Sequence, residues 1–259
     1  MLPSKEKRFL IISVLLSLGF LAINAFPDSY RLLTIFGLAI VTLLLFVFSL
    51  WEGLRMDETL LSLILPPLFT LGVGIFWFLI PSNIFARLPV VILYGGGIYV
   101  MARTENIFTV SSIKTIPLFR AARGIGFVLT FFTAFLLYNA IISIRADILV
   151  TSAGVFLISL FLFLQGLWVS LIERKDLALE TMFLYSFVFA FCLTQIAVIL
   201  YFWPVTVIVG SIFLTTAFYV LLGLGQAQLE GRLFKQTIRE HLLVGFTVFL
   251  IMFLATHWN

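Results

Sequence analysis

Charge is what this chain has least of: 12 acidic and 16 basic residues among 259, or 11%, against about a quarter in an ordinary soluble domain. So few charges cannot cover a water-soluble globule of this size, and that class is excluded. Cysteine occurs once, at Cys192, which excludes an internal disulfide, a thiolate metal cluster and a redox pair, and leaves the redox compartment unread. Histidine occurs only at His241 and His257, which fall on opposite membrane faces in the topology derived below, so no paired-histidine metal site is expected. Walker A, dinucleotide-glycine and nucleophile-elbow motifs do not occur in the sequence, nor does the spacing of a prenyl-diphosphate aspartate motif. No cofactor, metal or catalytic residue is therefore assigned.

What fills the sequence instead is apolar: 62% of residues are hydrophobic, 30 of them phenylalanine, with a mean hydropathy of +1.19. A helix needs about 20 apolar residues to cross the hydrocarbon layer. Nine runs of that kind are bounded by charges, proline or glycine: Phe9 to Phe26, Leu32 to Trp51, Thr59 to Ile80, Leu88 to Ala102, Gly124 to Ser143, Ile148 to Ile172, Thr181 to Phe202, Pro204 to Gly225, and Leu242 to Trp258. The expected fold is all-α, a polytopic transmembrane bundle of about nine spans. The fourth run is short and follows Arg87, whose head must reach the interface while its stem stays in the apolar layer. From Thr181 to Leu229 no charge occurs; one helix of that length would be about 70 Å long at 1.5 Å per residue, so the chain must fold back. Tyr201-Phe202-Trp203-Pro204 is the natural turn, aromatic rings favouring the headgroup level and proline lacking a helical donor. The first run also reads as a signal peptide after Lys5, Lys7 and Arg8, but its uncharged core is long and Ile23 is a poor residue before a cleavage site.

Nine spans put 13 of the 16 bases on the side of the amino terminus and only Arg31, Arg87 and Arg145 on the other. The bias places the amino terminus in the cytoplasm and the carboxyl terminus outside. Eight spans, with the fourth not crossing, would split the same bases 5 to 11 with the basic amino terminus outside. The net charge of +4 and pI near 9.4 are thus topological, and nucleic acid is not an expected partner.

Sliding the first half over the second by about 115 positions sets Pro89-Val90-x-Ile92-Leu93-x-Gly95 on Pro204-Val205-x-Val207-Ile208-x-Gly210, and Asn24-Ala25 on Asn139-Ala140. Arg31 pairs with Arg145, Trp51 with Trp168, and Gly126 with Gly245 after small shifts. The organisation expected is a 4+4+1 parallel repeat in one transmembrane domain. Residues 1–102 form the first repeat, 103–123 a basic cytoplasmic interfacial loop, 124–225 the second repeat, 226–241 a cytoplasmic loop and 242–258 the ninth span.

No run carries an acid or base near its middle, so candidate sites rest on polar and helix-breaking residues. Asn24 and Asn139 sit at equivalent outer ends of the repeat, as caps, interhelical hydrogen bonds or a substrate-facing pair. Pro66-Pro67 interrupts the third run, and Gly95-Gly96-Gly97 occupies the middle of the fourth. Together they mark the most irregular helix pair, through close packing and a kink or through a ligand at the break. Acids before the third and seventh runs, Asp57, Glu58 and Glu180, read as first-turn residues. The loop from Arg103 to Arg123 mixes apolar positions with bases, anchoring in the cytoplasmic interface or presenting Lys114, Arg120 and Arg123 to a headgroup or phosphate. The overlapping stretch from Thr104 to Phe127 resembles an uncharacterised family of bacterial multi-pass membrane proteins from uncultured lineages. The resemblance implies a bacterial inner-membrane location and an unassigned function, and carries over no site residue.

The expected function is non-enzymatic: binding or transport of a hydrophobic or amphipathic small molecule, or support of a membrane complex. The expected partners are the lipid bilayer, a lipid or lipid-linked ligand, and other membrane proteins. The alternative is a glycosyltransferase-like membrane enzyme acting on a lipid-linked substrate, with Asp28 or Asp147 as an outer-face acid.

Overall fold

The computed structural model describes residues 4–23, 27, 30–54, 59–80, 84–112, 117–172 and 179–256. Among them the chain forms α1 (Lys5–Ala22), α2 (Arg31–Leu50), a short 3-10 helix (Thr59–Leu63), α3 (Leu65–Phe78), α4 (Ile84–Ser111), α5 (Phe119–Ile144), α6 (Ile148–Leu171), α7 (Leu179–Phe202), α8 (Val207–Leu229) and α9 (Lys235–Leu254), with no strand among the described residues. Among the described residues, seven stretches are long and apolar enough to cross a membrane: α2, the 3-10 helix with α3, and α5 to α9.

The polarity of these helices is inverted relative to a soluble bundle. On α2 the residues turned inward are Ile35, Ala39, Thr42, Phe46 and Ser49, at alternating spacings of four and three. Those turned outward include Leu32, Leu33, Phe36, Ile40, Leu44 and Phe48. In water such an outer face would be the core. In lipid the apolar side chains face the solvent and hydroxyls turn inward, where other helices can satisfy them.

Helix contacts divide the chain into two compact units, residues 1–129 and 130–259, with the boundary inside α5. In unit 1, α1 packs on α4 and α2 on α3. Ion pairs gather one end. Arg8 donates to Glu52 Oε1 at 2.7 Å, Lys5 lies 3.3 Å from Glu52 Oε2, and Arg103 donates to Glu6 Oε1 at 3.2 Å. The opposite end carries Arg31 over the Phe78 ring at 5.4 Å and Arg87 over the Trp77 ring at 5.0 Å. Helix α4 thus runs the whole height of the unit. Arg87 rests its guanidinium on an aromatic face, the interfacial solution its position demands.

Three stretches differ from the sequence reading. Pro66 and Pro67 lie at the first turn of α3, where missing N–H groups cost nothing, and the interruption is the 3-10 helix before them. The glycine triplet stays helical, α4 continuing unbroken through it. Much of the expected loop 103–123 is helix, because α4 extends to Ser111 and α5 begins at Phe119. Buried Thr104, Phe108 and Phe119 explain that extension by packing.

In unit 2, α6 packs on α7 and α8, and α9 lies against α8. Phe163 fills the centre, 4.6 Å from the Phe218 ring and 5.5 Å from the Phe189 ring.

Candidate functional site

The irregular pair singled out in unit 1 is brought together as a packed core. The Tyr94 hydroxyl lies 3.0 Å from Thr70 Oγ1, which lies 3.1 Å from Thr42 Oγ1. Thr42 donates onward to the Leu38 carbonyl at 2.8 Å. With Tyr94 donating to Thr70 and Thr70 to Thr42, three hydroxyls and three protons form a satisfied chain. Phe20 stacks on Tyr94 at 4.7 Å and meets Trp77 edge-on at 5.0 Å. Gly95 accepts a 2.6 Å hydrogen bond from Ser13, and a side chain at Gly97 would meet the Phe69 ring at 2.7 Å. Gly96 faces open space. Gly95 and Gly97 therefore serve close approach of α1 and α3 to α4, and Pro66 and Pro67 start the helix that supplies Thr70.

Asn24 and Lys114 fall outside the described residues, as do Asp28, Asp57 and Glu58. Glu180 is in the first turn of α7. Arg120 is exposed and Arg123 half-buried near the start of α5. Gln165 accepts from Thr130 Oγ1 at 3.1 Å, whereas Gln195 is exposed.

Asn139 leads to a cavity. Its amide is buried on α5 and lies 3.4 Å from Ser211 Oγ, which itself donates to the Val207 carbonyl. One turn further along α5, Ile142 enters the floor of a pocket of about 300 Å³ in unit 2. Ala197, Leu200, Val205, Val207 and Gly210 complete an apolar floor, and Arg145, Thr151, Tyr201 and Trp203 stand around it. Gly210 keeps this space open, since a side chain there would meet Val205 at 3.3 Å and Ile142 at 3.7 Å.

Two turns position the rim. Helix α5 ends at Ile144, and Arg145 takes a left-handed backbone with φ of 50°, a conformation costing a non-glycine residue about 1 kcal/mol. Arg145 has no ion-pair partner among the described residues and stays exposed. Thr151 returns its hydroxyl to the Ala146 carbonyl at 3.2 Å. On the other side Trp203 donates its indole N–H to Thr256 Oγ1 at 3.0 Å, fixing the ring beside the Pro204 turn. A cation and two amphipathic rings above a greasy floor can hold a molecule with an anionic head and an apolar tail. Asp147 begins α6 as its N-cap residue, is exposed, and makes no capping hydrogen bond.

Sequence reading used Arg145 only for the charge bias and the repeat, and Tyr201 and Trp203 only to place a turn. Their meeting depends on α5 and α7 ending at one level, which spacing along the chain does not state. Glu105 was missed for another reason. Val91, Tyr94, Ile98, Met101, Glu105 and Phe108 are all buried and spaced by three and four, so the inward stripe of α4 passes straight through the residues read as loop. That alternation was legible and ran past the point where the hydropathy dropped.

The fold so described is that of an all-helical protein with several helices compatible with crossing a membrane. The chain belongs to the family described as "Protein of unknown function (DUF5656)", whose model matches residues 38–255. No curated protein and no solved structure matches the chain.

Proposed function

We propose that this protein is a multi-pass bacterial inner-membrane protein that binds an acidic amphipathic lipid or lipid-like molecule in the pocket beneath Arg145, with the amino terminus cytoplasmic and the pocket on the outer face. The observation that carries the reading is the placement of the exposed Arg145 and two interfacial aromatics around a cavity with an apolar floor. The 13 to 3 distribution of bases supports the orientation. So near the headgroups, Arg145 is worth about 1 kcal/mol toward an anionic ligand, which is about fivefold in affinity.

The parallel 4+4+1 repeat belongs to the same proposal. The pairings of α1 with α4 and α2 with α3 have counterparts in the ring contacts of α5 with α8 and the packing of α6 on α7. Thr42 and Ser159, separated by the same interval as Trp51 and Trp168, are both buried hydroxyls at the centre of a unit. Each donates to the carbonyl four residues back, and each belongs to a tyrosine-containing network.

The test is quenching of Trp203 fluorescence in nanodiscs by brominated phosphatidylglycerol against brominated phosphatidylcholine, with Trp203→Phe identifying the Trp203 signal. Quenching should favour the anionic lipid, and Arg145→Ala should remove that preference. Equal quenching by both lipids, unchanged in Arg145→Ala, overturns the reading.

A further inference from the structure

Glu105 is fully buried on the inward stripe of α4, and both of its carboxylate oxygens lack a hydrogen-bond partner. The hydroxyl of Ser49, buried near the end of α2, is likewise without one. Helices α2 and α4 run in the same direction, and at their ends a side chain on Gly53 would meet Thr109 Oγ1 at 3.0 Å. Four residues before that contact come Ser49, in the last turn of α2, and Glu105, one turn back along α4, so both lie toward the same end of unit 1.

Among the described residues at this end of unit 1, the charges on the surrounding elements are engaged elsewhere or point outward. On α1, Lys5 and Arg8 pair with Glu52 beyond the end of α2, Glu6 pairs with Arg103 of α4, and Lys7 is exposed. The 3-10 helix and α3 carry no charge. On α5, Arg120 is exposed, and Arg123 has an interaction of its own. Among the described residues, no charged side chain pairs with the Glu105 carboxyl. An ionised carboxylate sealed in such a place costs several kcal/mol. A metal ion would relieve it, but Ca²⁺ or Mg²⁺ takes about six or more oxygens, and among the described residues no group of three or more histidine, cysteine, aspartate or glutamate side chains is placed to hold one.

We propose that Glu105 is a proton-binding site, a neutral carboxylic acid at pH 7 enclosed at the Glu52 end of unit 1. Its release of the proton is coupled to separation of α2 from α4. Ionisation requires water at the carboxyl, and the Gly53 to Thr109 contact is the closure that keeps water out. A binding site of this kind lies outside unit 2 and is independent of the pocket beneath Arg145.

Infrared spectroscopy of the full-length protein in lipid at pH 7 tests it, because the carbonyl stretch of a neutral carboxyl is separate from carboxylate absorption and exposed acids are ionised there. The wild type should show that band and Glu105→Gln should lose it. Spectra identical in this region overturn the proposal, as does a band that disappears when sodium chloride replaces choline chloride, which would assign the site to a metal cation. Should Glu105→Gln fail to fold, dicyclohexylcarbodiimide and mass spectrometry of the wild type replace it. A covalent adduct on the peptide holding Glu105 is expected, and its absence overturns the assignment.

Discussion

Glu52 illustrates how a charged side chain behaves at the edge of the apolar layer. Hydrogen bonds from Arg8 and then Lys5 hold its carboxyl below the usual carboxylate range. A depressed folded-state value means the pair contributes stability above the unfolded value of about 4.3, and this is lost as pH falls through the folded value. Thermal unfolding in detergent between about pH 6 and about pH 3 should therefore show the wild type losing stability, with Glu52→Gln starting lower and changing less. Glu52 is exposed to solvent, so the effect is small and shrinks further in high salt. At this scale the sequence offered Asn139 as a cap, an interhelical hydrogen bond or a substrate-facing group, and did not offer its partner Ser211, because a hydrogen bond across 72 positions depends on helix register.

Among the elements, α4 shows best how sequence and packing divide the work. Gly97 faces the Phe69 ring and Gly96 faces nothing, so substitutions at adjacent positions should differ sharply. Gly97→Val should displace Phe69 from its stacking on Tyr94 and cost about 1–3 kcal/mol. Gly96→Ala should be neutral, or stabilising by a few tenths to about 1 kcal/mol through helix propensity. Denaturation in mixed micelles reads both, and equal effects would mean that α4 is rotated about its axis. The triplet was legible as a place of close approach or unwinding, and packing decided for approach. Nothing in three consecutive glycines says which of them meets a neighbour, since successive residues turn by about 100°.

At the level of the whole molecule, the inverted polarity of α2 and the exposed apolar surfaces of its neighbours suit a lipid solvent, and the scarcity of charge already required one. An odd number of spans begun from the cytoplasm predicts that alkaline phosphatase fused after Asn259 is active and that green fluorescent protein at the same place is dark. The reverse result would move the pocket beneath Arg145 to the cytoplasmic side and remove its proposed access to the outer leaflet. That the chain is helical, with several stretches long and apolar enough to cross a membrane, followed from its hydropathy, because each crossing must satisfy its own backbone over a fixed thickness. Which residues meet did not follow. Contacts such as Tyr94 with Thr70 and Asn139 with Ser211 depend on the rotation and height of each helix, and where hydrophobicity is nearly uniform around a helix it carries no information about either.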